Sequence, residues 1–192
     1  MIEVKNLTKQ FGGLTAVDSL NFTVHEGETV SIIGPNGAGK TTVFNLMTGF
    51  HQPTTGEVIF NGKNLVGKKP HEIALAGIGR TFQIVKPFRG LTVFENILVG
   101  AFAHTDDKGK ANHIAEDILA FSGLAPLRNA KAVGLPIAMR KRLELARSLA
   151  TQPKIILLDE VMAGLNPTES KEAVELIKRL KTERGISAVA GV

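Results

Sequence analysis

The chain has 192 residues, 43% of them apolar and 21% charged, with a net charge of +5. That apolar content is ample for one sizeable core, and no stretch approaches the ~20 apolar residues of a membrane span. Cys is absent, which excludes a disulfide framework and a thiolate metal site, and the five histidines at 25, 51, 71, 104 and 113 lack ligand spacing.

In chain order, Met1-Ile2-Glu3-Val4-Lys5 alternates like a strand and has no signal-peptide character, so a cytoplasmic domain is the default expectation. A further strand follows, Thr29–Ile33 reads as a third, apolar one, and Lys40–Phe50 as a helix. Between them stands Gly34-Pro35-Asn36-Gly37-Ala38-Gly39-Lys40-Thr41-Thr42, which fits the P-loop pattern G-x-x-x-x-G-K-[ST] at a strand-to-helix turn. Glycines there let successive N–H groups converge on one anion, and the helix N-terminus adds partial positive charge. Lys40 has the reach for β- and γ-phosphates, and the Thr41 hydroxyl suits Mg²⁺.

A small β segment, Glu57–Phe60, follows, and Val66–Ala76 has helical spacing. Thr92–Ala101 and Ala111–Phe121 read as two helices separated by the polar Thr105–Lys110, and Pro136–Leu149 is amphipathic. Ile155–Leu158 is a continuous apolar strand, as in the buried middle of a parallel sheet, and it ends in Asp159 and Glu160. Ligands sit at the carboxyl ends of such strands, which suits Asp159 to a metal and Glu160 to orienting or deprotonating a water. Thr168–Arg184 reads as a helix with acidic residues early and basic ones late, and Ile186–Val189 as a closing strand. Basic residues gather at Lys108/Lys110, Arg140–Arg142 and Lys178–Lys181. They read first as solvated helix faces, with an anionic membrane surface or nucleic acid as the alternative.

The expected fold is α/β: a P-loop NTPase core from 1–82 and 135–192, opened by an N-terminal antiparallel β segment, with a helical subdomain inserted at about 83–134. Together these segments resemble the nucleotide-binding subunit of the ATP-binding cassette (ABC) transporters. Gly34–Thr42 is similar to Walker A, and Ile155–Glu160 to Walker B with its following Glu. Gln83, in Gly79-Arg80-Thr81-Phe82-Gln83, is similar to the Q-loop, and Phe11 to the aromatic residue that stacks on adenine. Ala163-Gly164-Leu165-Asn166-Pro167 resembles the D-loop, with Asn166 where Asp is usual. The phrases Gly79–Gln83, Phe88–Asn96 and Leu143–Pro153 resemble the ATPases of branched-chain amino acid importers, and related importers of urea or short amides share them.

The resemblance implies ATP and Mg²⁺ as ligands. Phe11 and Gly34, Pro35, Asn36, Gly37, Ala38, Gly39, Lys40, Thr41 and Thr42 would bind ATP. Thr41, Gln83 and Asp159 would serve the metal, and Glu160 with Gln83 the hydrolysis. It implies membrane permease subunits and a second ABC ATPase as partners, a periplasmic solute-binding protein indirectly, no nucleic acid, and a peripheral place on the cytoplasmic face of the inner membrane. Ile84, Val85 and Phe88 are the candidates to line a groove for the permease, with plain core packing as the alternative.

Two departures qualify this. Leu135-Pro136-Ile137-Ala138-Met139 stands where L-S-G-G-Q is usual, so the hydroxyl and the close glycine backbone that serve the partner's γ-phosphate are replaced by Pro136, Ile137 and Ala138. This implies a heterodimer in which a partner has the intact signature. The sequence also stops at Val192, before the switch His and C-terminal segments of the family, so it reads as C-terminally shortened and the chain alone is expected to turn over little. A regulatory subunit without hydrolysis, and a soluble ABC ATPase acting on nucleic acid, are the alternatives.

Overall fold

The computed structural model describes residues 1–83 and 86–192. Ten-residue strand β1 (Ile2–Phe11) turns at Gly12-Gly13 into β2 (Leu14–Val24), and Gly12 takes φ 58°, where a side chain would be strained. β4 (Thr55–Phe60) and the short β5 (Lys63–Asn64) extend this antiparallel sheet in the order β2-β1-β4-β5. A second sheet is parallel: β3 (Thr29–Ile32), β8 (Ser187–Gly191), β7 (Ile155–Asp159) and β6 (Ile78–Arg80), in the order β3-β8-β7-β6.

All five residues of β7 are buried, which explains its unbroken apolar run. Its side chains alternate between two cores. Ile155 and Leu157 pack with Ile2, Val4 and Leu7 of the antiparallel sheet and with Phe44 and Met47 of helix α1 (Lys40–Met47). Ile156 and Leu158 face α3 (Val93–Ala101), α5 (Ile137–Ala150) and α6 (Pro167–Arg184) through Ile97, Leu143, Leu176 and Leu180. Residues 86–134 hold α3, α4 (Lys108–Phe121) and 3-10 turns at Ala125–Leu127 and Ala132–Gly134, packed against α5. No helix among the described residues is long and apolar enough to cross a membrane.

The structure differs from the sequence expectation at element ends. α1 stops at Met47, short of Phe50, because Gly49 at φ 75° turns the chain and the Thr48 hydroxyl caps Phe44 O at 2.6 Å. α2 (Pro70–Ala76) starts at its proline, after a turn at Gly67, rather than at Val66. α4 starts three residues before Ala111, since Asp107 accepts from Lys110 N at 3.0 Å and makes the polar stretch its cap. β6 had no strand signal. It is three residues long, and its centre is Gly79, where a Cβ would sit 2.7 Å from Ser148 Oγ.

Candidate functional site

The P-loop leaves β3 and winds into the N-terminus of α1. Gly37 and Gly39 take φ 85° and 89°, and a Cβ on Gly39 would meet the Ala16 carbonyl of β2 at 2.4 Å. The glycine therefore permits both the turn and the close approach of the hairpin. α1 has no acidic residue in its first turn to offset its N-terminal partial charge. Lys40 is buried, and its ammonium donates to the carbonyls of Gly34 and Pro35, the latter at 3.1 Å.

Phe11, Leu14–Ala16, Gly37–Thr42 and Glu160 line one cleft of about 550 Å³. Phe11 comes from β1 and Glu160 from the end of β7, so the fold brings the aromatic residue, the phosphate loop and the second carboxylate to one place. Phe11 is 42% exposed, with the His51 ring edge-on at 5.4 Å and Lys9 Nζ 5.0 Å from its centroid. Gly34, Pro35 and Asn36 line an adjoining cleft of about 470 Å³ that shares Lys40 and Glu160.

Asp159 is 2% exposed. Its Oδ1 accepts from Thr41 Oγ1 at 3.3 Å, and its Oδ2 pairs with the Arg80 guanidinium at 3.1 Å. The other terminal nitrogen of Arg80 donates to Asn45 Oδ1 and Thr48 Oγ1 at 2.7 and 3.0 Å, and the rings of Phe44, Phe50 and Phe82 surround it at 4.9–5.9 Å. Burial lowers the Arg80 pKa, and the hydrogen bond that Arg80 donates to Asp159 works against that. Glu160 follows at φ 49°, a left-handed conformation uncommon outside glycine. Gln83 Nε2 donates to Glu160 Oε2 at 2.8 Å, joining residues 77 apart in sequence.

The oxygen donors of Thr41 and Asp159 fit a hard divalent cation. Among the described residues no cluster of three His, Cys, Asp or Glu could hold a metal. Such an ion would need ligand phosphate oxygens to complete its shell, which is the usual manner of Mg²⁺.

Pro136 occupies the N-cap of α5 and supplies no side-chain cap, Ile137 is 47% exposed, and Leu135 is buried. Beside the Gln83 segment a groove of about 370 Å³ is lined by Phe50, His71, Phe82, Val99, Glu144 and Arg147, among others. Phe88 stacks on Arg147, its ring centroid 4.5 Å from the guanidinium carbon. Ile84 and Val85, expected in that groove, lie outside the described residues. Sequence reasoning passed over Arg80 as a site residue although it stands beside the Gln83 motif, because nothing in the sequence says that its side chain crosses to Asp159.

The family model described as ABC transporter matches residues 17–163. The high-affinity branched-chain amino acid transport ATP-binding protein BraF of Pseudomonas aeruginosa is 40% identical over 204 residues, covering 98% of this chain and 80% of that protein. Among solved structures, MJ1267, an ATP-binding cassette of an ABC transporter, aligns with a TM-score of 0.89 and 33% identity, over 99% of this chain and 80% of that one. The dimeric post-hydrolysis state of the ATP-binding cassette MJ0796, bound to ADP and Pi, aligns with a TM-score of 0.86 and 29% identity, over 100% of this chain and 88% of that one.

Proposed function

The chain belongs to the ABC transporter family as an ATP-binding subunit, and from that premise we propose that it hydrolyses ATP to drive import of branched-chain amino acids or similar small polar solutes. The solute comes from the likeness to BraF. The carrying observation for the chemistry is the single cleft lined by Phe11, the P-loop and Glu160.

In this reading Phe11 stacks on the adenine, while the N–H groups of Gly37–Thr42 and the Lys40 ammonium hold the phosphates. Lys40 exchanges the Gly34 and Pro35 carbonyls for phosphate oxygens. Thr41 and Asp159 hold Mg²⁺, which supplies charge neutralisation on the phosphates when bound. Glu160 accepts a proton from, or orients, the attacking water, and Gln83 fixes the Glu160 carboxylate through its 2.8 Å hydrogen bond.

Permease subunits are the membrane partners of such ATPases. Their docking into the groove beside Phe82 and Arg147, a solute-binding protein outside the membrane and a peripheral place on its cytoplasmic face complete the proposal. The helical subdomain at about 83–134 and the nucleotide core at 1–82 and 135–192 are its two parts.

Two measurements test the reading. Calorimetric titration of Lys40→Ala should show ATP affinity severely weakened, and unchanged affinity overturns the nucleotide site. A deletion strain should lose uptake of labelled leucine, isoleucine and valine. Normal uptake of all three with loss of urea uptake assigns a different solute.

A further inference from the structure

Helix α5 carries two charged side chains, three residues apart, that reach the two halves of the Gln83–Glu160 pair. Lys141 Nζ donates to the backbone carbonyls of Glu160, Val161 and Ala163 at 3.0, 3.1 and 2.6 Å. All three N–H donors of the ammonium are thereby engaged on one turn. That turn starts from Glu160 in its left-handed conformation, and among the described residues its own backbone bonds are Ala163 N to Glu160 O and Leu165 N to Met162 O. Three carbonyls converging on one point would repel each other without a cation between them. Glu144, 8% exposed, accepts the Phe82 N–H at 2.7 Å, so it fixes the backbone immediately before Gln83. A buried carboxylate is costly unless hydrogen-bonded, and this one is spent on a loop backbone rather than on a neighbouring helix.

We propose that Lys141 and Glu144 are positioning residues for the reaction, setting the Glu160 turn and the Gln83 segment to a common frame so that α5 moves both together. The proposal rests on the reading of Glu160 as the carboxylate that acts on water. Neither residue touches the nucleotide cleft, so nucleotide affinity is not what they set. The start of α5 is the segment that the family resemblance turns toward a partner cassette in a two-cassette dimer. A shift of α5 on closure of that dimer therefore reaches Glu160 through Lys141 and Gln83 through Glu144, with no intermediate element.

The test uses the transporter assembled with its permease and second ATPase. Lys141→Met should cut kcat by at least ~10²-fold, the scale of a misplaced reacting group, and leave KM for ATP within about twofold. Lys141→Arg, which can donate to several carbonyls, should recover most of the loss. Glu144→Ala should lower kcat in the same way, and Glu144→Gln, which keeps an acceptor for Phe82 N–H, should retain most of the turnover. A second readout needs no turnover. In the 192-residue chain, amide exchange at Ala163 and Leu165 should quicken at least ~10-fold in Lys141→Met and stay slow in Lys141→Arg. If Lys141→Met does not fold, Lys141→Gln carries the same two comparisons.

Normal kcat together with unchanged exchange overturns the proposal, as does equal loss in the Met and Arg variants. Glu160→Gln keeps the two readings apart. If Glu160→Gln abolishes turnover while Lys141→Met does not, the positioning role fails and the assignment of Glu160 stands. If Glu160→Gln turns over normally, the assignment fails, and with it the catalytic meaning of Lys141.

Discussion

Arg80 shows how one buried side chain can hold several parts of a site. Its guanidinium joins Asp159 at the end of β7 to Asn45 of α1 and Thr48 at that helix's C-cap, with side-chain exposures of only 5% for Arg80 and 1% for Asp159. Removing one partner of a buried pair costs about 3–5 kcal/mol, because the other charge is left uncompensated. Arg80→Met is expected to lose that much in urea unfolding followed by circular dichroism, since the chain has neither Trp nor Tyr to serve as a fluorescent probe. A loss below ~1 kcal/mol would mean that water or rearrangement relieves Asp159. Arg80→Lys should recover little, because a single ammonium cannot span the fork. At Glu160 the expectation concerns turnover. Glu160→Gln in the assembled transporter should keep ATP binding and lose about 10²–10⁴-fold in rate, the worth of a general base. The residues of this site that sequence reveals are those whose chemistry is tied to fixed local spacing: Gly39, Lys40 and Thr41 in a loop, Asp159 and Glu160 at a strand end. Arg80, Lys141 and Glu144 escape it because each acts on a residue far along the chain, and a lone charge in a helix or short strand looks like any solvated one.

At the scale of elements, caps decided the boundaries. α6 opens with a reciprocal cap: Asn166 Oδ1 accepts from Glu169 N, and Glu169 Oε2 from Asn166 N, both at 2.9 Å. Asn166→Ala should therefore cost about 1 kcal/mol, read as a fall in the thermal midpoint; an unchanged midpoint would mean that tertiary packing alone holds this end. The other end of α6 is tied to α4 by Arg184, which grips Asp117 with two bonds at 2.6 and 2.8 Å. The Arg184 hydrogen bond holds the Asp117 carboxyl below its ordinary value. A lowered folded pKa contributes stability above the unfolded value of ~3.9 and loses it as pH falls through the folded value. The pair is half exposed, so its worth is about 0.2–1 kcal/mol. Asp117→Asn should lower the midpoint slightly at pH 7, and the difference from wild type should fade on acidification below about pH 4. A difference that persisted into acid would point to packing instead of charge. Long periodic elements such as β7 and α5 were legible because burial imposes a regular pattern. β6 was not, since three residues centred on a glycine carry no period and exist as a strand only through pairing with β7.

On the scale of the whole molecule, β7 divides the protein and joins it, with alternate residues feeding the core around α1 and the core around α5. The P-loop and Asp159 thus sit at one end of a rigid wall, while the start of α5 lies on the helical side. That start is where the sequence reads as departing from the L-S-G-G-Q usual in the family. Pro136 at the N-cap has neither hydroxyl nor N–H, and Ile137 and Ala138 carry side chains where the resemblance implies glycines that would admit a phosphate. In a two-cassette arrangement each ATP would lie between one chain's P-loop and the other's signature. Pairing with a cassette of intact signature would make the two sites unequal: this chain's P-loop would be completed well, and the partner's would face Pro136-Ile137-Ala138. Loss of one preorganised donor costs about 10²–10³-fold in rate, so the partner's site should carry about 1% of the turnover or less. Lys40→Ala in this chain should remove nearly all ATPase activity of the assembled transporter, whereas the corresponding Lys→Ala in the partner should leave most of it. Steady-state phosphate release from the two singly mutated complexes decides between this and a symmetric pair, for which the two losses would be equal.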